Sequence, residues 1–400
     1  MLLKWGRVVF WTAAFLLCFS SVVVAQTNQT AQPNPLELEL NESDPLLPNP
    51  PVERPLSPLE LRRLRQALDE LNTQALAQLQ AGNRQQAFEI WYREIRLRRV
   101  LGGQLEEVQA LGRVGEIAWG ESFKPEVQLI TARLETIQKE AEAKKTLDGQ
   151  LLRALGKAYE QIRLPGQALA IYERVLADAR QRNDAAEIEA TLKTIAQLHM
   201  GWFDYLKAAA TYEELLNIAQ EKRDRVNEVI YIQQLAYIYD QAKKPENALQ
   251  MKQRLLASYP PNDPRIPELK LAIAADHEAL NQLDEASRIY QEVYAEAFVL
   301  REFANASEAL RKLAALYQAD NQPEFALQVY DVLIKVEQES YNYYGLMNAY
   351  DQIGQIHLEQ KNYAQALAAF QKGLELAQSL KYQENYFTRQ IERANQQSSQ

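Results

Sequence analysis

The stretch "LRKLAALYQADNQPEFALQVY", residues 310–330, holds two apolar patterns separated by a short polar break. Leu310 and Ala314 lie one helical turn apart, and the same spacing resumes with Phe325 and Val329 after the break. The second pattern begins just after a Pro, whose missing N–H does no harm in the first turn of a helix. The stretch therefore predicts two antiparallel helices joined by a tight turn.

The same pattern recurs along the chain at intervals of about 40 residues. Each recurrence has a first small position in one helix, a second small position twelve residues later, and a ring position four residues beyond that. Two helices can approach to ~8–10 Å where a Gly or Ala lies at their crossing, and a ring from the partner helix can fill the notch. The first small positions are Ala75, Gly115, Gly156, Ala196, Ala236, Ala274, Ala314 and Gly354, and the second are Ala87, Ala168, Ala208, Ala248, Ala286, Ala326 and Ala366, with Val127 as the single exception. The ring positions are Trp91, Tyr172, Tyr212, Tyr290, Tyr330 and Phe370, with Thr131 and Lys252 as exceptions.

This combination resembles the tetratricopeptide repeat family over residues 68–378. The interval exceeds that family's usual length of about 34 residues, which resembles a subclass with longer helices. The resemblance implies an all-α, right-handed superhelical solenoid of about eight helical hairpins, over residues 59–396 with terminal caps. It also implies that the first helix of each hairpin lines an inner surface that binds a protein or peptide.

The N-terminus has the layout of an export signal. Lys4 and Arg7 precede an apolar run over residues 8–24, and small residues precede Gln26. We therefore expect a signal peptide over residues 1–25 and a periplasmic or secreted protein. The alternative is a membrane anchor formed by residues 8–25, since the run approaches the ~18 residues that a span requires. Residues 26–58 are rich in Pro and Asn and predict a disordered tether.

Several functions are disfavoured by the composition. The formal net charge of −9 repels phosphate backbones, so we expect no nucleic-acid partner. The only cysteine, Cys18, lies in the predicted signal peptide, which leaves the mature chain without a thiolate ligand or nucleophile. The sequence has no P-loop, GxSxG, HExxH or GxGxxG motif. We expect no catalytic residue and no cofactor, and we expect contact with a membrane only if the N-terminal segment is retained.

The three histidines occupy one recurrent position, where other repeats have Tyr159, Tyr239 or Tyr317. His199, His277 and His357 are thus two repeats apart, or ~20 Å for helices spaced by ~10 Å, which is too far to share an ion. We interpret them as packing residues and predict no metal site.

A candidate peptide site lies on the first helices of repeats three to five. The positions three before and one after each first small position share one helix face. In these repeats they carry Arg153, Lys157, Lys193, Gln197, Gln233 and Tyr237. Cations can bind carboxylates and amides can bind a peptide backbone, so the pattern predicts a site for an extended, acidic peptide. The alternative is a solvated face without a ligand.

The sequence thus predicts an exported, non-catalytic interaction scaffold. An accessory subunit of a cell-envelope enzyme that processes wall or polysaccharide is the alternative, and a structural spacer is a third possibility. A tyrosine-rich C-terminal end either docks a partner or covers the last hairpin. Its aromatic residues are Tyr341, Tyr343, Tyr344, Tyr350, Tyr382, Tyr386 and Phe387.

Overall fold

The computed structural model describes residues 34–38, 44–47 and 55–399, and these residues contain sixteen α-helices and no strand. The predicted all-α class is confirmed, whereas the predicted signal peptide lies outside the described residues. None of the described helices is long and apolar enough to cross a membrane. The helices are α1 (Pro58–Gln80), α2 (Arg84–Gly120), α3 (Lys124–Lys144), α4 (Gly149–Gln161), α5 (Pro165–Gln181), α6 (Ala185–Gly201), α7 (Tyr205–Glu221), α8 (Arg225–Gln241), α9 (Pro245–Ser258), α10 (Ile266–Ala279), α11 (Leu283–Val299), α12 (Phe303–Ala319), α13 (Pro323–Glu339), α14 (Tyr343–Glu359), α15 (Tyr363–Leu380) and α16 (Glu384–Ser398).

The described residues form two compact units. Unit 1 contains those up to Ala110 together with Pro125–Ile137, and unit 2 contains Leu111–Lys124 and the residues from Gln138 onward. In unit 2, every helix from α4 to α16 packs on the next one along the chain. Packing between sequence neighbours is the defining property of a helical solenoid.

The repeat length follows from one helix length and one turn length. Helices α5 to α8 and α11 to α14 contain 17 residues each. Three residues separate each of these helices from the next one in the chain. Each helix therefore advances the sequence by 20 residues, and a hairpin advances it by about 40.

The helix α2 is interrupted at Gly102 and Gly103, which have non-helical backbone angles. Gly103 has a φ of 63° and a ψ of −143°, a combination that only Gly adopts without strain. The interruption divides α2 into the second helix of hairpin one and the first helix of hairpin two. With it, the array comprises eight hairpins followed by α16.

The three-residue turns share one backbone geometry. In the turn at 162–164, the N–H of Leu164 donates to the carbonyl of Tyr159 at 2.9 Å and that of Arg163 donates to Glu160 at 3.0 Å. These bonds cap the last carbonyls of the helix and require a left-handed middle residue, usually Gly. Here the middle residues are Arg163, Asn183, Phe203, Arg223, Lys243, Asn281, Arg301, Asn321, Tyr341 and Lys361, all with φ between 53° and 60°.

The predicted helix crossings are confirmed. A Cβ at Gly156 would lie 3.1 Å from the ring of Tyr172, and a Cβ at Gly354 would overlap the ring of Phe370. All eight first small positions are buried. The Pro of residues 310–330 lies at the start of α13, as predicted. A Pro also lies at the start of α5 and α9 and in the first turn of α3.

A buried ion pair replaces the ring in hairpin five. In hairpin six the Tyr290 hydroxyl donates to Glu278, twelve residues earlier, at 2.9 Å. Lys252 occupies the ring position of hairpin five, and its Nζ donates to Asp240, also twelve residues earlier, at 2.8 Å. The same Nζ donates to the buried Asp276 of α10 at 2.8 Å. The ammonium thus takes the place of the phenol hydroxyl in the same hydrogen bond.

A second buried acid lies in hairpin seven. Glu337 occupies a position near the end of α13 where other second helices carry Ala, and its side chain is 1% exposed. Its Oε1 accepts a hydrogen bond from Ser307 of α12. A Cβ at residue 345 would overlap the Glu337 carboxyl, so the Gly at that place makes room for the acid. The alanines at the equivalent positions are Ala179, Ala219, Ala297 and Ala377.

Two parts of the predicted tether contact the folded body. Leu36 is fully buried, and Asp44 accepts two hydrogen bonds from Arg93 of α2. These contacts differ from the disorder that the composition predicts for residues 26–58. The helical part begins at Pro58, after an N-cap Ser57 whose side chain accepts from the N–H of Glu60.

We predict that Phe203→Gly stabilises the protein. Phe203 is 74% exposed and has a φ of 60°, so its side chain buries little while its backbone is strained. Left-handed geometry costs a non-Gly residue ~1–2 kcal/mol, and the greater unfolded-state freedom of Gly offsets part of that. The free energy of unfolding from urea titration should rise by about 0.5–1 kcal/mol. Asn183→Gly is the matched control with a smaller expected gain, because Asn tolerates this geometry. A loss of stability in Phe203→Gly would contradict the account of the turns.

Candidate functional site

The six predicted peptide-site residues lie on three successive first helices, two on each of α4, α6 and α8. Lys193 is partly exposed, and the other five residues are exposed to solvent. Direct contacts join the helices at this face. Arg153 of α4 pairs with Glu187 of α6, and the Nζ of Lys193 lies 5.9 Å from the ring centroid of Tyr231 in α8. The residues therefore share one polar face of unit 2.

The three cations do not give this face an excess of positive charge, because each of them has a carboxylate partner. Lys157 pairs with Glu160 at 3.1 Å, and Lys193 pairs with Glu189 at 2.9 Å. Arg153 pairs with Glu187. The face thus carries alternating charges of both signs.

The sequence contains a signal for two of these ion pairs, in acidic residues that lie outside the two positions per helix that define the predicted site. The Glu189–Lys193 pair has an i, i+4 spacing and the Lys157–Glu160 pair has an i, i+3 spacing, both of which bring side chains together on a helix. The link between Arg153 and Glu187 spans two hairpins and depends on tertiary packing.

The ion pairs of this face are open to exchange. The side chains of Arg153, Lys157 and Lys193 remain 44%, 58% and 44% exposed. The hydrogen bond to Glu189 raises the pKa of Lys193, and Lys193 and Lys222 together lower the pKa of Glu189. Exposed pairs of this kind contribute about 0–1 kcal/mol each, so an incoming carboxylate can replace the internal one.

An amide-lined cavity of about 510 Å³ lies among α12, α13 and α14. Its Gln355 donates to the Tyr386 hydroxyl at 3.2 Å, and its Gln360 donates to Glu324 at 3.0 Å. Amide side chains both donate and accept, which suits the backbone of a peptide. The periodicity of the sequence does not reveal this cavity, because its lining comes from three helices. The amides that line it are Gln318, Asn321, Gln352, Gln355 and Gln360.

The tyrosine-rich end divides into a covered part and an exposed part. The Tyr386 hydroxyl donates to both carboxylate oxygens of Asp351, at 3.0 and 3.1 Å, and burial raises the pKa of that carboxyl. Phe387 is fully buried. Helix α16 therefore covers the last hairpin, as one of the two predicted roles requires. The most exposed aromatic side chains of this end are Tyr341, Tyr343, Tyr344 and Tyr382.

The histidines lie among packed side chains. His199 is 8% exposed, and burial lowers its pKa. Burial also lowers the pKa of His357, whose Nδ1 has no hydrogen-bond partner. In the part of the chain that the structure describes, no group of three or more His, Cys, Asp or Glu side chains could hold a metal ion.

Comparison with known families identifies the repeat. Two models described as tetratricopeptide repeat match the chain, one at residues 151–186 and one at residues 347–380. These ranges coincide with hairpins three and eight. The chain contains tetratricopeptide repeats, as the sequence indicated, and the fold is the helical solenoid of such repeats. Repeats of this kind are typically non-catalytic scaffolds for binding proteins or peptides.

Several solved structures are similar to this chain. The apo form of RapI is 13% identical, with a TM-score of 0.37 over 82% of this chain and 98% of that one. BtubC from P. vanneervenii is 18% identical, with a TM-score of 0.37 over 54% and 92%. MamA is 19% identical, with a TM-score of 0.34 over 47% and 98%. No curated protein sequence matches the chain.

We predict that acidification destabilises the protein through its buried histidines. Burial lowers the pKa of His199 and His357 below the ordinary value of 6.5, so the unfolded state binds more protons than the folded state as the pH falls through that value. Their contribution to stability is present above pH 6.5 and is lost at lower pH. The variant His199→Tyr/His357→Tyr carries at both positions the Tyr that other repeats have there. Between pH 7.5 and pH 5.5, about one unit on either side of the ordinary His pKa, its melting temperature should fall less than that of the unmodified protein. Equal pH dependence in the two proteins would contradict this prediction.

Proposed function

We propose that this chain, whose hairpins are tetratricopeptide repeats, is an exported scaffold that binds an extended, acidic peptide or partner segment on the exposed face of α4, α6 and α8. The observation that carries the proposal is that corresponding positions on three consecutive first helices present cations, then amides, then a phenol. An extended ligand advances ~3.3 Å per residue, so a short segment can reach several helices spaced by ~10 Å.

Binding of a carboxylate on this face is an exchange. Ligand carboxylates replace Glu160, Glu187 and Glu189 beside the three cations, while Glu187 keeps its pair with Arg182 and Glu189 keeps its pair with Lys222. The guanidinium of Arg153 suits this exchange, because its planar fork binds a carboxylate through two hydrogen bonds. Gln197 can in addition bond the ligand backbone. Because each ligand carboxylate replaces a carboxylate of the protein, we expect a modest affinity that weakens as the salt concentration rises.

A peptide library tests this proposal. The full-length protein is screened against random dodecapeptides, and enriched peptides should carry Asp or Glu at several positions. In Arg153→Gln/Lys157→Gln/Lys193→Gln the acidic preference should disappear, because the groups that bind carboxylates are removed. The matched control is Arg174→Gln/Arg180→Gln/Lys207→Gln. It removes three cations that are 46%, 51% and 70% exposed and are also paired with carboxylates, but lie on the second helices α5 and α7.

The control variant should keep the acidic preference, and both variants should melt within a few degrees of the unmodified protein. Enrichment of basic or apolar peptides, or an acidic preference that survives in the site variant, would refute this binding face.

Export is the second part of the proposal, supported by the basic head, the apolar run and the small residues before Gln26. N-terminal sequencing of the native protein should begin near Gln26, and fractionation should place it outside the cytoplasm. A full-length cytoplasmic product would rule out export. A full-length product in the membrane would instead support the anchor formed by residues 8–25.

The partner could itself be an envelope enzyme, in which case the chain is its non-catalytic subunit. Co-purification from the native envelope separates this case from a free peptide ligand, because an enzyme partner brings an activity that the purified chain lacks.

A further inference from the structure

Two short turns in the N-terminal segment share a sequence pattern and a set of hydrogen bonds. Residues 34–36 are Asn-Pro-Leu and residues 44–46 are Asp-Pro-Leu. In each turn the side-chain oxygen of the first residue accepts from the N–H of the third at 3.0 Å. The carbonyl of the first residue accepts from the N–H of the fourth, at 2.8 Å in one turn and 2.9 Å in the other. Because Pro fixes its own φ, such turns are largely formed before they bind.

A row of arginines on α2 binds both turns. Arg93, Arg96 and Arg99 recur every third residue. Arg93 donates two hydrogen bonds of 2.8 Å to the carboxylate of Asp44. Arg96 donates to the carbonyl of the Pro in the first turn at 2.6 Å, and Arg99 donates to the carbonyl of the Leu that follows it. The row therefore recognises main-chain carbonyls in one turn and the acidic first residue in the other.

Leucines hold both turns against the folded body. Leu36 of the first turn is fully buried, whereas Leu38, two residues later, is 45% exposed. Leu46 and Leu47 of the second turn pack against an apolar cluster of unit 1, which consists of Leu64, Leu68, Leu71 and Leu97. A side-chain amide adds a further contact, from Asn34 to the carbonyl of Leu129 in α3 at 3.1 Å.

The arginine row needs acceptors. Burial, together with the neighbouring Arg99, lowers the pKa of Arg96, and the hydrogen bond from Arg93 lowers the pKa of Asp44. Partly buried cations placed side by side are unfavourable unless hydrogen-bond acceptors compensate them. Arg99 gains one carboxylate from Glu107 of its own unit at 2.8 Å, and the turns supply the carbonyl and carboxylate oxygens described above.

We propose that the face of α2 with Arg93, Arg96 and Arg99 is a peptide-binding site for Asx-Pro-Leu turns, and that the chain's own residues 34–38 and 44–47 occupy it as a tethered ligand. The site selects a preformed turn that offers the arginines carbonyl or carboxylate oxygens and whose Leu packs against the folded body. It is separate from the face of α4, α6 and α8 and does not depend on the proposed function of that face.

The test uses the full-length chain with its own ligand disabled. In Leu36→Asp/Asp44→Ala both turns lose an anchor, while every residue of the helices is unchanged. A synthetic peptide of residues 31–48 should bind this variant saturably, and it should bind the unmodified chain at least tenfold more weakly, because the tethered segment competes at an effective concentration of about 1 mM or more. A peptide with Leu36→Asp should bind the variant roughly 10- to 100-fold more weakly than the natural peptide, since burying a Leu contributes an affinity factor of that size. A peptide with Leu38→Asp, its matched control, should bind like the natural peptide.

Amide hydrogen exchange, measured on the unmodified protein and on the full-length Leu36→Asp and Leu38→Asp variants, provides the second measurement. The amides of Leu36 and Glu37 should be protected in the unmodified protein and in Leu38→Asp, and should lose that protection in Leu36→Asp. No binding of the natural peptide to the variant at about 1 mM would overturn the proposal, since that is the concentration the tether supplies. Equal effects of the Leu36 and Leu38 substitutions would also overturn it.

Discussion

The architecture depends on how closely two helices can approach when only three residues join them. A turn that short leaves no slack, so the side chain at the crossing sets the interaxial distance. Gly156 and Gly354 lie directly against rings of the partner helix, and Gly115 and five Ala residues, all buried, occupy the other first small positions. The left-handed residue in each turn is the counterpart of this constraint, because it closes the helix carbonyls within three residues. Packing therefore takes precedence over local backbone preference at each such turn.

In hairpins five and seven, a buried ionisable residue comes with changes at neighbouring positions. Lys252 stands where other hairpins have a ring, and Asp276 of the following helix accepts from it. Glu337 stands where other hairpins have Ala, with a Ser and a Gly opposite it. A buried charge without such partners is strongly destabilising, whereas a well-packed apolar pair at the same place is often as stable. These substitutions distinguish hairpins five and seven chemically while leaving the interval of the repeat nearly unchanged.

The sequence predicted features that repeat and missed features that do not. Small residues, rings and Pro recur at fixed intervals, so periodicity alone located the crossings and the helix starts. The left-handed turns were not recognised because Arg, Phe and Tyr replace the usual Gly. The carboxylate of Glu189 beside Lys193 was missed because Glu189 lies outside the two positions per helix that define the predicted site. The carboxylate of Glu187 beside Arg153 was missed because that pair joins two hairpins. The contacts of Leu36 and Asp44 were not predicted, since an average over the Pro and Asn content of a segment does not register a single buried Leu or a single paired Asp.

The bound N-terminal turns bear on distance from a membrane. An unattached segment over residues 26–58 could extend by up to ~110 Å at ~3.3 Å per residue, enough to let the body sample a wide shell around an anchor point. With Asn34 bonded to α3, residues 26–33 can place the end of the apolar run at most ~30 Å from that bond. Should residues 8–25 remain in a membrane, unit 1 would stay within that distance of the lipid surface. Occupancy of the arginine row would then act as a short leash between unit 1 and the lipid surface.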